Sequence, residues 1–103
     1  MKDTAAPREP TRCPTHPGII LRENVIPSTG LSKAEIARRL KLSRQHLYDI
    51  LNEKKPVTVN VAVRIGQLFG GGGAMWLRLQ SAHDLWHAER DIDVSDIQPL
   101  QAA

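Results

Sequence analysis

The chain has 103 residues, with 14 Lys and Arg against 11 Asp and Glu and a single cysteine. A domain takes ~100–200 residues, so this is one small domain and a two-domain enzyme is excluded. Cys13 alone cannot close an internal disulfide, which fits a reducing compartment and predicts a cytoplasmic protein, while no segment approaches the roughly 18 uncharged apolar residues of a membrane span.

Residues 1–14 hold Pro7, Pro10 and Pro14 among mixed charges and few apolar side chains. They are predicted to be a flexible tail and do not read as a signal peptide. The folded domain is predicted over 15–90. Its first helix starts with Pro17 in the first turn, carries Ile19, Ile20, Leu21 and Val25, and is predicted to end in the loop Pro27-Ser28-Thr29-Gly30. Ser32 followed by Glu35 has the form of a capping box, and Ala34, Ile36, Ala37 and Leu40 give a short second helix its apolar stripe. Lys41-Leu42 connects tightly to Ser43, a second good N-cap. Leu47, Ile50 and Leu51 then form the buried stripe of a third helix ending near Asn52.

The run from Val57 to Val63 reads in two ways. β-Branched residues at every second position are a strand signature. Read at period 3.6, Thr58 caps a helix with Val59, Ala62, Val63, Gly66 and Phe69 on its inner face. Gly70 to Gly73 break the chain as a flexible connector, and Ala74 to Glu89 reads as a long last helix. Residues 91–103, with Asp91, Asp93 and Asp96, are predicted to be an acidic, weakly structured tail.

Two short capped helices joined by about three residues match the helix-turn-helix arrangement, in which the second helix enters the DNA major groove. On the third helix Gln45, Tyr48, Asp49 and Asn52 cluster opposite the apolar stripe, with Arg44 and His46 on the flanks. These six are the candidate base readers: Gln and Asn pair with adenine, Arg with guanine, and Asp accepts from cytosine. Ser32 to Arg64 holds eight basic residues against three acidic ones, whereas Ile65 to Arg90 balances two against two. That footprint fits a phosphate-backbone binder, with Ser32, Lys33, Arg39, Ser43, Lys54 and Lys55 as the expected phosphate contacts. An ordinary solvated charged face would look the same from charge alone.

The His16-Pro17-Gly18-x-Ile20-Leu21 opening, Gly30-Leu31-Ser32, Ala37-x-x-Leu40, Ile50-Leu51-Asn52, Val57-Thr58, Ala62-x-Arg64 and Trp76-Leu77-x-Leu79-Gln80 together resemble the HigA-type antitoxins. These are a branch of the Cro and phage-repressor-like helix-turn-helix proteins of the XRE family. The resemblance spans Thr15 to Arg90. It implies an all-α, five-helix domain, so the valine run becomes the fourth helix. It also implies a homodimer that binds an inverted-repeat operator and represses its own operon, and a HigB/RelE-like mRNA-cleaving toxin as partner. Two departures stand out: four glycines replace the usual Ser or Thr cap before the Trp-bearing helix, and Lys33 stands where many of these proteins have a phosphate-binding Gln.

Three features mimic other chemistry. His83-Asp84-Leu85-Trp86-His87 resembles the His-Glu-x-x-His zinc motif, but Asp is a methylene too short for the base and no third ligand is near in sequence. Cys13-Pro14-Thr15-His16 offers half of a metal site with no second cysteine to complete it. The glycine run has neither the preceding strand nor the following Lys-Ser/Thr of a phosphate loop. No metal, no cofactor and no enzyme activity are therefore expected. Finally, Met75, Trp76, Leu79, Ala82, His83, Leu85 and Trp86 cover about half the circumference of the last helix, more than the roughly 100° stripe needed to dock on its own core. Trp86, Leu85 and Ala82 are the expected dimer interface. A stand-alone repressor without a toxin, or an interaction module that binds protein and not DNA, are the competing readings.

Overall fold

In the computed structural model, which describes residues 12–100, the chain is all-helical. Pro17–Ile20, the π-helical turn Leu21–Val25 and Ile26–Thr29 run on without a break and form helix α1. The others are α2 (Lys33–Leu40), α3 (Arg44–Leu51), α4 (Val59–Phe69) and α5 (Ala74–Asp91). Residues 1–11 and 101–103 of the expected tails lie outside the described residues.

Contrary to expectation, α1 does not stop at Pro27. Proline has no N–H to give and its ring crowds the carbonyl four residues back. The π turn just before it widens the helix, with Ile26 N–H donating to the Leu21 carbonyl, so the chain passes the proline and stops only at Gly30. At the other end buried His16 caps the helix, its Nδ1 accepting from Gly18 N–H at 2.9 Å. Burial first, and then the neighbouring His83, push the His16 imidazole below its usual range, which keeps it the neutral acceptor that this bond requires.

The valine run is helical, as the resemblance implied, with Thr58 Oγ1 accepting from Val61 N–H. The predicted inner face is corrected in part: Val59 and Val63 are 65% and 62% exposed, and Val61, Ala62, Ile65 and Gly66 face inward. Val57 lies before the helix and is buried by the extended loop. The face keeps Ala62 and Gly66 and turns by about one residue towards Val61 and Ile65.

The core joins Leu21 and Ile26 of α1, Ile36, Ala37 and Leu40 of α2, Leu47, Ile50 and Leu51 of α3, Val57, Val61, Ala62 and Ile65, and Trp76 of α5. Each large aliphatic member contributes about 1.5–3 kcal/mol by leaving water. α3 sits between α1 and α2, and α5 packs on α4 and α1. Two close approaches fix this arrangement. A Cβ on Gly18 would stand 2.0 Å from the Ile50 carbonyl oxygen, so α1 lies directly on the backbone of α3. A Cβ on Gly66 would meet Gly72 at 2.2 Å, so the glycine run is packed across α4 and is more than the plain connector expected. α5 begins at Gly73 with no side-chain cap.

Candidate nucleic-acid interface

Each of the two short helices α2 and α3 has eight residues, too few to persist alone in water. Their ends explain how they persist here. Ser32 Oγ accepts from Glu35 N–H, and Ser43 Oγ from His46 N–H, so each N-terminus has its predicted cap. The capping box on α2 is only half made: the Glu35 carboxylate turns to Arg38 and Arg39. Those bonds, Arg38 first, hold its pKa at about 2. Both C-termini are served by arginines from other helices. Arg64 Nη1 donates to the Leu40 carbonyl at 3.0 Å, and Arg22 Nη1 to the Leu51 carbonyl at 3.0 Å. The turn passes through Lys41 in the left-handed region at φ 62°, with Leu42 N–H closing on the Ala37 carbonyl.

Leu47, Ile50 and Leu51 anchor α3, and its opposite face is open. Arg44, Gln45, Tyr48 and Asn52 are exposed, and His46 is half-buried beside them. Asp49 stands apart from the other expected readers. Its side chain is mostly covered, its Oδ1 accepts from Gln45 Nε2 at 2.8 Å, and its Oδ2 lies 3.8 Å from Lys55 Nζ. Its carbonyl also accepts from the N–H groups of Lys54 and Lys55. In this arrangement Asp49 orients Gln45 and folds the following loop back on α3. Gln45 keeps its amide oxygen and one N–H free, the pair an adenine edge needs.

Of the expected phosphate contacts, Lys33 at the start of α2 and Lys54 and Lys55 after α3 are exposed. Ser32 and Ser43 are exposed, with their hydroxyls engaged as caps. Arg39 is paired with Glu35 at 2.8 Å, an exposed bridge that costs little to exchange for a phosphate. Arg22 and Arg64, absent from the expected site, position it without facing it. Only the Ala62-x-Arg64 pattern pointed to either.

The expected dimer residues divide between two surfaces. Leu85, 59% exposed, joins Ala88, Ile92 and Val94 in an apolar depression at the end of α5. Ala82 lines a separate groove with Ile20, Met75 and Leu79. Trp86 is half-buried, with the Arg90 guanidinium 3.7 Å above its ring and its indole N–H buried without a hydrogen-bond partner among the described residues. Buried Gln80, which sequence reasoning left out of the core, ties α5 to the loop after α3: its Oε1 accepts from Val57 N–H at 2.7 Å. The premise that His83 and His87 lack a third ligand is corrected, because chain folding brings Cys13 to them. Cys13 and Pro14, assigned by sequence to the tail, are half-buried. No described helix is long and apolar enough to cross a membrane.

Residues 26–57, from the end of α1 through α3, match the family model of the CENP-B N-terminal DNA-binding domain. Virulence-associated protein I of Dichelobacter nodosus is 40% identical over 76 residues, 74% of this chain and 70% of that protein. A further relative, from Escherichia coli, is described as an uncharacterized HTH-type transcriptional regulator. The antitoxin GraA, solved in complex with its operator, superposes with a TM-score of 0.80 at 34% identity, covering 92% of this chain and 98% of that one. The Pseudomonas aeruginosa antitoxin HigA, solved with the higBA promoter, gives 0.74 at 33% identity over 85% and 99%. The solved antitoxins match over 85–92% of this chain, and the chain belongs to the helix-turn-helix antitoxins of the HigA and GraA type, a family of DNA-binding regulators.

Proposed function

We propose that this protein is a cytoplasmic antitoxin that binds an inverted-repeat operator as a homodimer, represses its own operon and neutralises a HigB/RelE-like mRNA-cleaving toxin. The observation that carries the DNA-binding part is the open face of α3, where Arg44, Gln45, Tyr48 and Asn52 stand exposed, with exposed Lys33 at the start of α2 and exposed Lys54 and Lys55 just after α3. Two-fold symmetry would place two such helices about one turn, ~34 Å, apart on the duplex. The solved antitoxins with operator or promoter support this use of the face. The toxin partner rests on likeness to antitoxins alone, and relatives described as transcriptional regulators favour a stand-alone repressor as the second reading.

Mobility shifts on the chain's own promoter test the DNA contacts. Gln45→Ala or Arg44→Ala should cost ~1–3 kcal/mol on the specific site with little change on random DNA, because base contacts specify. Lys33→Ala should weaken both and flatten the salt dependence. Equal loss on both DNAs for Gln45→Ala would remove it from the readers. Co-expression with the neighbouring reading frame separates the two readings: rescue of growth and co-purification mark an antitoxin, and neither marks a stand-alone repressor.

A further inference from the structure

Folding brings three soft or borderline ligands together from opposite ends of the chain. The Cys13 thiol, just ahead of α1, lies 3.5 Å from His87 Nε2. His83 and His87 share one face of α5 a turn apart, their ring centroids 4.6 Å from each other. One ligand atom from each of the three residues lies within 4.8 Å of the other two. With Zn–S bonds of about 2.3 Å and Zn–N bonds of about 2.0–2.1 Å, the ligand atoms of a tetrahedral ion stand roughly 3.3–3.6 Å apart. The sulfur-to-His87 separation already has that length, and small side-chain rotations would close the others. Asp84 Oδ1 stands 3.4 Å from His83 Nδ1 and also accepts from Gln80 Nε2. A carboxylate behind one ring nitrogen fixes the imidazole and leaves the other nitrogen to an ion.

We propose that Cys13, His83 and His87 form a Zn2+ site, with Asp84 as the outer carboxylate that orients His83. One thiolate and two imidazoles suit zinc among the common cations, whereas Mg2+ and Ca2+ require oxygen ligands. On binding, the Cys13 thiol releases its proton to solvent and the sulfur bonds to the ion. The fourth position is left to water on the exposed side of His87. The ion serves as a clasp. It fastens the segment ahead of α1 to the outer half of α5, beside Trp86, whose ring meets His87 edge-on at 5.1 Å. This proposal is independent of DNA or toxin binding.

Cobalt reports on such a site directly. Reduced, metal-free, full-length protein titrated with Co2+ should bind one ion per chain and show the thiolate-to-cobalt charge-transfer band with the d–d bands of a tetrahedral centre. Added Zn2+ should bleach both, and Mg2+ should not. Cys13→Ser should abolish the charge-transfer band while leaving the circular dichroism spectrum unchanged. His83→Ala and His87→Ala should each weaken binding at least tenfold, and Asp84→Asn should weaken it roughly 10–100-fold. Zn2+ should raise the melting temperature of the wild type but not of Cys13→Ser. Absence of the charge-transfer band in the wild type would overturn the site, as would a band that survives both histidine substitutions. Binding of one ion per two chains would overturn it as a site within a single chain.

Discussion

Replacing Gln80 by Met should unfasten α5 from the loop after α3 with little change in volume. Gln80 is 5% exposed, and its Oε1 is the acceptor for the buried Val57 N–H at 2.7 Å. Methionine fills the space but offers no acceptor of comparable strength, and a buried donor left without one costs ~1–3 kcal/mol. The second bond, from Gln80 Nε2 to Asp84 at the exposed surface, is lost with it. In a domain of this size each kcal/mol moves the melting temperature by about 4–8 °C, so a fall of roughly 4–24 °C is expected. Thermal melts by circular dichroism measure it, and amide hydrogen exchange locates it: Val57 N–H should exchange faster relative to the core amides of α3. If Gln80→Met melts at the wild-type temperature with Val57 N–H still protected, the glutamine is not what holds the loop.

Gly18→Ala should destabilise the fold by ~1–3 kcal/mol or more despite the better helix propensity of alanine, because the new methyl would press on the backbone oxygen of Ile50, which cannot rotate away; a melting temperature equal to or above wild type would refute the close approach. Glu35 titrates at about 2 in the folded chain against 4.5 when free, so its contribution is complete above about 4.5 and is lost as the pH falls towards 2. Melting curves taken down that range should show a decline that Glu35→Gln lacks, and parallel curves would show that the arginine pairs add nothing. Trp86→Ala should weaken dimerisation, read by light scattering over a concentration series, before it weakens folding; unchanged mass with an earlier melt would make Trp86 a core residue.

Helices were readable where one local signal sufficed. Ser32 and Ser43 marked the two N-termini, and Leu47, Ile50 and Leu51 marked the inner face of α3, because caps and 3.6-residue periods act within a turn or two. The misses share another cause. The burial of Gln80 and the arrival of Cys13 beside His83 and His87 depend on contacts between elements distant in sequence, which no local window contains. The inner face of α4 was placed correctly at Ala62 and Gly66 but with Val59 and Val63 in place of Val61 and Ile65, because valine scores as apolar wherever it points. In the reading face, residue identity showed which groups are polar but not that Asp49 is committed to Gln45 and Lys55.

The geometry of the reading face rests on residues that never reach it. A helix of eight residues ends with carbonyls that have no partner within the helix, and its N–H groups are short of acceptors at the other end. Serine caps solve the second problem locally. The first is solved at a distance, by Arg64 of α4 on the last carbonyls of α2 and by Arg22 of α1 on the last carbonyl of α3. A cation is also the favourable charge at a helix C-terminus. Each arginine therefore does two jobs, completing a short helix and fixing its direction against a longer neighbour. Gly18 adds a third constraint by letting α1 touch the backbone of α3 at Ile50, one residue before Leu51 is caught by Arg22. α3 is thereby clamped at its backbone along its inner side, and Arg44, Gln45, Tyr48 and Asn52 on its outer side remain exposed.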